Sequence, residues 1–523
     1  MTDSRNSVVS ANSGDSNTTR FSESHEPIAR ASPTEAVVSE KKDPYLVDHL
    51  ELDDPRNPQG WSRVKKWYLT MAAGLLVFNA TFASSAPGGV SQALMHEFQM
   101  SREVSILMIS LFVAGYCVGP LLWGPLSEEF GRRPVFLVGF FVYMMFQVGT
   151  ALAQNKATVL VLRFLGGVFA ACPLANSGAV ISDVWDAKTR GRALAIFTVA
   201  PFVGPALGPT VAGFMYVSGT SWRWLFWVLA MFAGFCLAII IFTMPETYMP
   251  VLLVQRAKRI RKETGDDRYY APMEVTKKTV REQTENILGR PFKMLFQEPM
   301  LLAITAYMSF VYGCLYLYFA AYPIVFTQGH HFNAGVSGLM YLPIMVGGII
   351  AVTIYVLTFG RRYEREVDRC APNPVPPEFR LEMALIAAPL YAISFFWFGW
   401  TSSPSISYWA PLMSGLLNGF GISWIFLSLI NYIIDSYLRV AASALSISTV
   451  VRSLFGAVFP LFATQMYEAM SPQWASSLLG FVALALMPIP FVFIKYGPAL
   501  RARSKHAPTP ITPRSKESDN SSA

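Results

Sequence analysis

The sequence predicts an all-α integral membrane protein of twelve transmembrane helices in two six-helix halves. Three observations carry that prediction: an apolar composition with little charge, about twelve stretches long enough to cross a bilayer, and a short basic turn that occurs twice. Of 523 residues, 53% are hydrophobic and 15% charged, and the mean hydropathy is +0.37. Soluble domains carry roughly 25% charge, so water is not the main solvent. The net charge of +8 would suggest nucleic acid in a soluble protein. Here the basic residues cluster at the ends of apolar spans and in loops between them, where they act as orientation signals, and no nucleic-acid partner is expected.

A bilayer span needs about 20 mostly apolar residues. Such stretches lie near 67–86, 104–123, 134–153, 158–180, 193–215, 223–243, 300–325, 337–359, 382–400, 408–431, 441–465 and 475–495. They divide six and six, which predicts a disordered tail over 1–60, a first half over 61–244, a polar divider over 245–299, a second half over 300–496 and a second tail over 497–523. Lys and Arg accumulate on the cytoplasmic side of short loops. The even-numbered loops hold Arg132, Arg133, Lys188, Arg190, Arg192, the divider's run from Arg256 to Lys262, Arg361, Arg362, Arg365, Arg369 and Arg439, whereas the odd-numbered loops hold little more than Arg102, Lys156 and Arg223. Both termini are therefore expected in the cytoplasm. Asn79 lies within the first span, and Asn17 and Asn520 lie in the tails, so no N-glycan is expected. Cys117, Cys172, Cys236 and Cys314 fall in spans and Cys370 in a loop, with neither a disulfide framework nor metal spacing.

The halves repeat two landmarks in order. Phe130-Gly131-Arg132-Arg133 returns as Phe359-Gly360-Arg361-Arg362, and an acid closes the fourth span of each half, Asp183 and Asp435. The first copy is the fuller. It carries Gly124, Glu128 and Pro134 around it, which places the cytoplasmic gate there and leaves Arg361 and Arg362 to orientation.

Gly124-x-Leu126-x-Glu128-x-x-Gly131-Arg132-Arg133 resembles the signature between the second and third helices of the major facilitator superfamily, with Glu128 where those proteins usually have Asp. Gly124 and Gly131 would permit a tight reversal, and the acid and arginines would form charge contacts that break as the halves rock. The expected partners are Asp183 and the amino end of the eleventh helix. Val161-Leu162-Arg163-Phe164-Leu165-Gly166-Gly167 resembles the family's second motif. An arginine inside a span is by default functional or paired, which makes Arg163 a coupling candidate, unless it snorkels to the headgroups. Ala200-Pro201-Phe202-Val203-Gly204-Pro205-Ala206-Leu207-Gly208-Pro209 resembles the antiporter motif, and Gly204, Pro205, Gly208 and Pro209 should bend the fifth span and admit a neighbour. Ser221-Trp222-Arg223-Trp224, Met244-Pro245-Glu246-Thr247-Tyr248 and Arg452-Ser453-Leu454-Phe455-Gly456 narrow the resemblance to fungal drug:proton antiporters with twelve spans, over about residues 55–505. It implies the major facilitator fold, no cofactor, and the proton gradient as energy source.

A transporter of this build places its site near the midplane between the halves. Tyr312 and Tyr316 share a helix face there, and Asn79, Gln147, Asn176, Asn418, Trp424 and Asn431 add polar or aromatic groups. For any one of them helix packing is the competing role. No Asp or Glu lies near the middle of a span, so a polycation lacks counter-charge, and neutral or weakly charged hydrophobic compounds are the expected substrates. No Gly-Lys pair occurs, which excludes the phosphate loop of an ATP-driven pump on this chain. The six scattered histidines argue against a membrane enzyme. The expected function is export of hydrophobic or amphipathic small molecules, such as drugs, fungicides, toxins or a secondary metabolite, by a monomer in the cell membrane. Uptake on the same fold and a non-transporting sensor remain the alternatives, as does the vacuolar membrane for location.

Overall fold

The computed structural model describes residues 43–51, 53–275, 285, 289–370 and 374–504. Among them there is no strand, and eleven helical stretches are long and apolar enough to cross a membrane. The last, Ala441–Arg503, has 63 residues, roughly 95 Å of helix at about 1.5 Å per residue, far beyond a hydrocarbon core of about 30 Å. It breaks at Ser471, whose φ of 64° is not helical, next to Pro472. The two limbs pack on different neighbours, Phe459 against Gly313 and Ser476 against Gly399. Counted separately, they bring the spans to twelve.

The first six spans are Arg63–Ser85, Arg102–Phe130, Arg132–Ala151, Lys156–Val184, Ala200–Val217 and Trp222–Thr243. Four of them start on a side chain that accepts from the first turn: Ser62, Ser101, Asn155 and Ser221. Such caps satisfy N–H groups that a helix leaves open. The seventh to tenth spans are Pro299–Tyr322, Leu342–Leu357, Glu382–Thr401 and Trp409–Ser436.

Packing repeats between the halves. The first span packs on the fifth, the second on the fourth, and the third on the fourth and sixth; correspondingly the seventh packs on the eleventh, the eighth on the tenth, and the ninth on the tenth and twelfth. The halves meet where the second span crosses the eleventh and where the fifth crosses the helix Ala334–Leu339 ahead of the eighth. Large apolar side chains such as Val138, Phe141, Phe235 and Phe242 remain exposed around the outside, the surface that lipid covers in a chain of this composition.

Part of the stretch expected as a tail is packed. Leu50 is buried with Leu252, Leu253 and Ala257 of the divider helix Met249–Thr264, and Arg256 donates to Asp54. Of residues 1–46, those described form a turn in which Leu46 N–H donates to Asp43 O. Residues 1–42 and 505–523, with Asn17 and Asn520, lie outside the described residues, as do the side chains of Lys188 and Arg439. The five cysteines are free.

Candidate functional site

The basic turn is tighter than its motif suggests, and it is built by one glycine. The second span runs on through Gly124 to Phe130, and a Cβ at Gly124 would touch nothing, so this glycine is not part of the reversal. Gly131 makes the reversal with φ of 96°, a region that L side chains avoid. A Cβ there would also lie 2.4 Å from Glu246 Oε2. That carboxylate, just past the sixth span, accepts from the N–H of Arg132 at 2.9 Å and of Arg133 at 3.1 Å. It therefore caps the third span from a distant part of the chain, at the helix end where the dipole favours an anion.

Arg132 is buried within this cap. Its Nε donates to Asp183 Oδ2 at 3.2 Å, its Nη1 to Ser127 Oγ at 2.6 Å, and its guanidinium lies 4.6 Å from the centre of the Tyr248 ring. Ser127 in turn donates to Asn176 Oδ1, which places Asn176 in the support of the turn and not in a substrate path. Arg133 reaches Ile241 O. Glu128 is exposed and has no hydrogen bond or ion pair among the described residues, so it does not bond to the start of the eleventh span. Its charge is nevertheless felt: burial, and then Glu128, push the Tyr248 hydroxyl above its usual pKa.

The second copy of the basic turn is differently built. Phe359–Cys370 is a helix of its own; Arg361 is exposed and Arg362 pairs with Glu382 at the surface. The place of Arg132, at the start of the third span of its half and bonded to the acid of the fourth, is taken by Arg380. Its Nε donates to Asp435 Oδ2 at 2.9 Å. The repeat of chemistry is thus Arg132–Asp183 and Arg380–Asp435, while the repeated tetrapeptide marks only the chain's exit from the second span of each half.

At the centre, Arg163 does not snorkel. It is 1% exposed, its Nε donates to Met108 O at 2.8 Å and its Nη2 to Ala83 O at 3.0 Å and Ser84 O at 3.2 Å, and its guanidinium faces the Phe112 ring at 3.9 Å. Gly167, one turn on, lets the second span approach until a Cβ would sit 2.0 Å from Phe112 O. Across the seam, Ser84 Oγ hydrogen-bonds the hydroxyl of Tyr316 at 2.9 Å, a polar link between the halves in the membrane interior. Tyr316 packs on Tyr312 at 5.1 Å.

The fifth span fits between the first span and the other half. Cβ atoms at Gly204 and Gly208 would fall 2.1 Å from Thr81 Oγ1 and 2.3 Å from Ser85 Oγ. Pro209 has no N–H, so the Pro205 carbonyl lacks its helix partner; Ser85 Oγ donates to it at 3.0 Å. On the opposite face Thr210 Oγ1 donates to Gly338 O at 2.7 Å. The Gly-Pro cluster is therefore part of the seam between halves.

The other predicted path residues separate into two groups. Asn79 is fully buried with neither side-chain atom bonded, and Gln147 Oε1 and Asn418 Oδ1 are also unpartnered; these can receive a ligand or water. Trp424 gives its N–H to Ala351 O at 2.7 Å and Asn431 bonds Leu427 O in its own helix, so both serve packing. Ion pairs join the halves at both ends: Arg192 to Glu364 at 2.5 Å near the basic turn, and Arg102 to Glu468 at 2.7 Å at the opposite end.

Sequence reasoning missed Glu246, Arg380, Ser84 and Arg452 as site residues. Arg452, in the eleventh span, lies over the rings of Tyr312 at 5.3 Å and Phe426 at 5.7 Å. The rule that singles out Arg163, an arginine within an apolar span, applies equally to it. Glu246 follows a span end, but the turn it caps lies over a hundred residues away in sequence; Ser84 gave no signal.

Residues 73–460 match the Major Facilitator Superfamily profile. The chain is 44% identical, over 89% of its length and 76% of the relative's, to the Major facilitator superfamily multidrug transporter mdrA of Aspergillus fumigatus. It is 41% identical, over 89% of its length and 78% of the relative's, to the Efflux pump FUB11 of Gibberella moniliformis. Among solved structures, the proton:xylose symporter XylE superposes with a TM-score of 0.60 at 17% identity, over 83% of this chain and 97% of that one, a likeness of fold. With the profile spanning most of both halves and relatives above 40% identity, this chain belongs to the Major Facilitator Superfamily.

Proposed function

We propose that the protein exports hydrophobic or amphipathic small molecules by alternating access, in exchange for protons. The observation that carries the mechanism is the pair of ion pairs between halves, Arg192–Glu364 at one end and Arg102–Glu468 at the other. Both are partly exposed, each is worth about 1 kcal/mol or less, and rocking that opens one end breaks one of them at small cost. The tight Gly-Pro seam of the fifth span supplies the pivot between them. The export direction is supported by the efflux and multidrug relatives.

The working unit is a monomer, a carrier without catalytic chemistry or cofactor, in the cell membrane with both termini cytoplasmic; the basic residues around Gly131 support that orientation. Arg163 is the coupling residue through its links to three carbonyls of the first two spans. Cells loaded with a hydrophobic dye should lose it faster with the protein than without, and collapse of the proton gradient should remove the difference. Unchanged retention across a broad dye panel would sink the export reading, and faster accumulation would favour uptake. Arg163→Ala should abolish transport while surface expression persists.

A further inference from the structure

The membrane interior holds two guanidinium groups and, among the described residues, no carboxylate to neutralise them. Arg163 has no ion pair, and although three carbonyls and a ring face share its charge, Nη1 has no partner. Arg452 is barer. It has neither a hydrogen bond nor an ion pair; two ring faces are its only neighbours of note, and its Nε is enclosed without an acceptor. The acids of the neighbouring spans, Glu103, Asp183, Glu298, Glu382, Asp435 and Glu468, lie at span ends. A charge removed from water without a partner is costly, and cation–π contact with two rings returns only about 1–2 kcal/mol. Such a pair persists when something else brings the negative charge.

The surroundings specify the rest of that partner. Tyr316 lies within electrostatic reach of both arginines, and Tyr312, Tyr316, Phe426 and Phe202 form a run of edge-to-face and tilted rings beside Arg452. Arg452 itself retains some exposure in the middle of its span while Tyr312 and Phe426 are buried. We infer that the transported compound is an organic anion with an aromatic ring, its carboxylate bound by Arg452 with Arg163 behind it and its ring seated among Tyr312, Tyr316 and Phe426. This narrows the amphipathic compounds of the export reading to one charge type, and it rests on that reading for the word transported. A guanidinium binds a carboxylate with two parallel hydrogen bonds, and an ammonium compound would be repelled.

Three naphthalene probes of nearly equal size test this on the full-length purified protein: 1-naphthylacetate, 1-naphthylacetamide and 2-(1-naphthyl)ethylammonium. The acetate should bind at least about tenfold tighter than either of the others, a difference near 1.4 kcal/mol. Arg452→Gln should erase that preference and Arg452→Lys should restore part of it. Equal affinities, no binding of the acetate, or an unchanged preference in Arg452→Gln would each overturn the inference. The wild-type comparison needs no substitution, so the question is answered even where Arg452→Gln fails to fold. Proteoliposomes preloaded with each probe separate this inference from the export reading. Proton-driven release of the amide or ammonium without favour for the acetate retains export and removes the anion site. Tight acetate binding with no release of any probe retains the anion site and removes export.

Discussion

The basic ends of the two halves solve one problem with different parts. In the first half Gly131 turns the chain directly from the second span into the third, and Glu246 from beyond the sixth span caps the new helix. In the second half a whole helix, Phe359–Cys370, lies between the eighth and ninth spans, and the contact from the last turn of the twelfth span has the opposite sign: Arg501 donates to Glu378 at 2.9 Å. What both ends keep is an arginine at the start of one span bonded to an acid at the end of the next, Arg132–Asp183 and Arg380–Asp435. The unit that repeats in both halves is an interaction between helices, and its second arginine lies outside the repeated tetrapeptide.

If that equivalence is real, breaking either pair should cost nearly the same. The exposures match closely, 8% and 19% for Arg132 and Asp183 against 9% and 22% for Arg380 and Asp435. Removing one partner of a largely buried pair costs about 3–5 kcal/mol. Asp183→Ala and Asp435→Ala should therefore each lower the melting temperature of the purified protein by similar, large amounts. A large effect at Asp183 with none at Asp435 would mean the second pair is ornamental and the halves are not equivalent at this end.

The glycines of the two tetrapeptides should differ sharply. Gly131→Ala places a side chain at positive φ and drives its Cβ into Glu246, and the strain plus the damaged cap should cost about 2–3 kcal/mol. Gly360 has ordinary helical geometry, with Tyr355 O 3.3 Å from an added Cβ as its nearest neighbour. Alanine there should be within about 1 kcal/mol of neutral, because slight crowding against Tyr355 is offset by better helix propensity. Equal losses at both sites, read from melting temperature, would mean that the two tetrapeptides play one part, against the asymmetry that the sequence predicts.

That asymmetry shows where the sequence was legible. The twelve spans, their grouping and the arginine inside the fourth span all follow from hydropathy and charge, because lipid punishes polar groups severely enough to leave a plain pattern. Gly131, Arg132 and Asp183 were legible because the turn is local and its acid ends a span. Glu246 and Arg380 were not singled out, since each acts on a group over a hundred or over fifty residues away, and nothing in the local pattern marks the partner. Gly124 misled for the converse reason. A conspicuous glycine in the motif invites a turn, while the helix simply continues through it.

Glu246→Gln tests the cap with a smaller change. The amide oxygen can still accept, but the charge opposite the helix dipole is lost, and Gln must present its NH2 near other donors. The expected cost is about 1–2 kcal/mol, with a slowed dye efflux if the cap helps hold the turn through rocking. Glu378→Gln in the other half keeps no helix cap to lose and should mainly weaken the contact with Arg501.

The smallest effect belongs to the arginine that first drew attention to the second half. Arg362 pairs with Glu382 at 2.8 Å, but the two side chains are 58% and 32% exposed. Water and salt screen such a pair, and it holds two flexible side chains for a return of roughly 0–1 kcal/mol. Arg362→Ala should shift the melting temperature barely, leave efflux intact, and lose its small effect at high salt. The role expected of it is orientation, shared with Arg361, Arg365 and Arg369 nearby, so removing one of four like charges should not invert the chain. A loss of efflux in this variant comparable to that of Arg132→Ala would place the second half's gate at the tetrapeptide after all, and would take from Arg380 the equivalence argued for it.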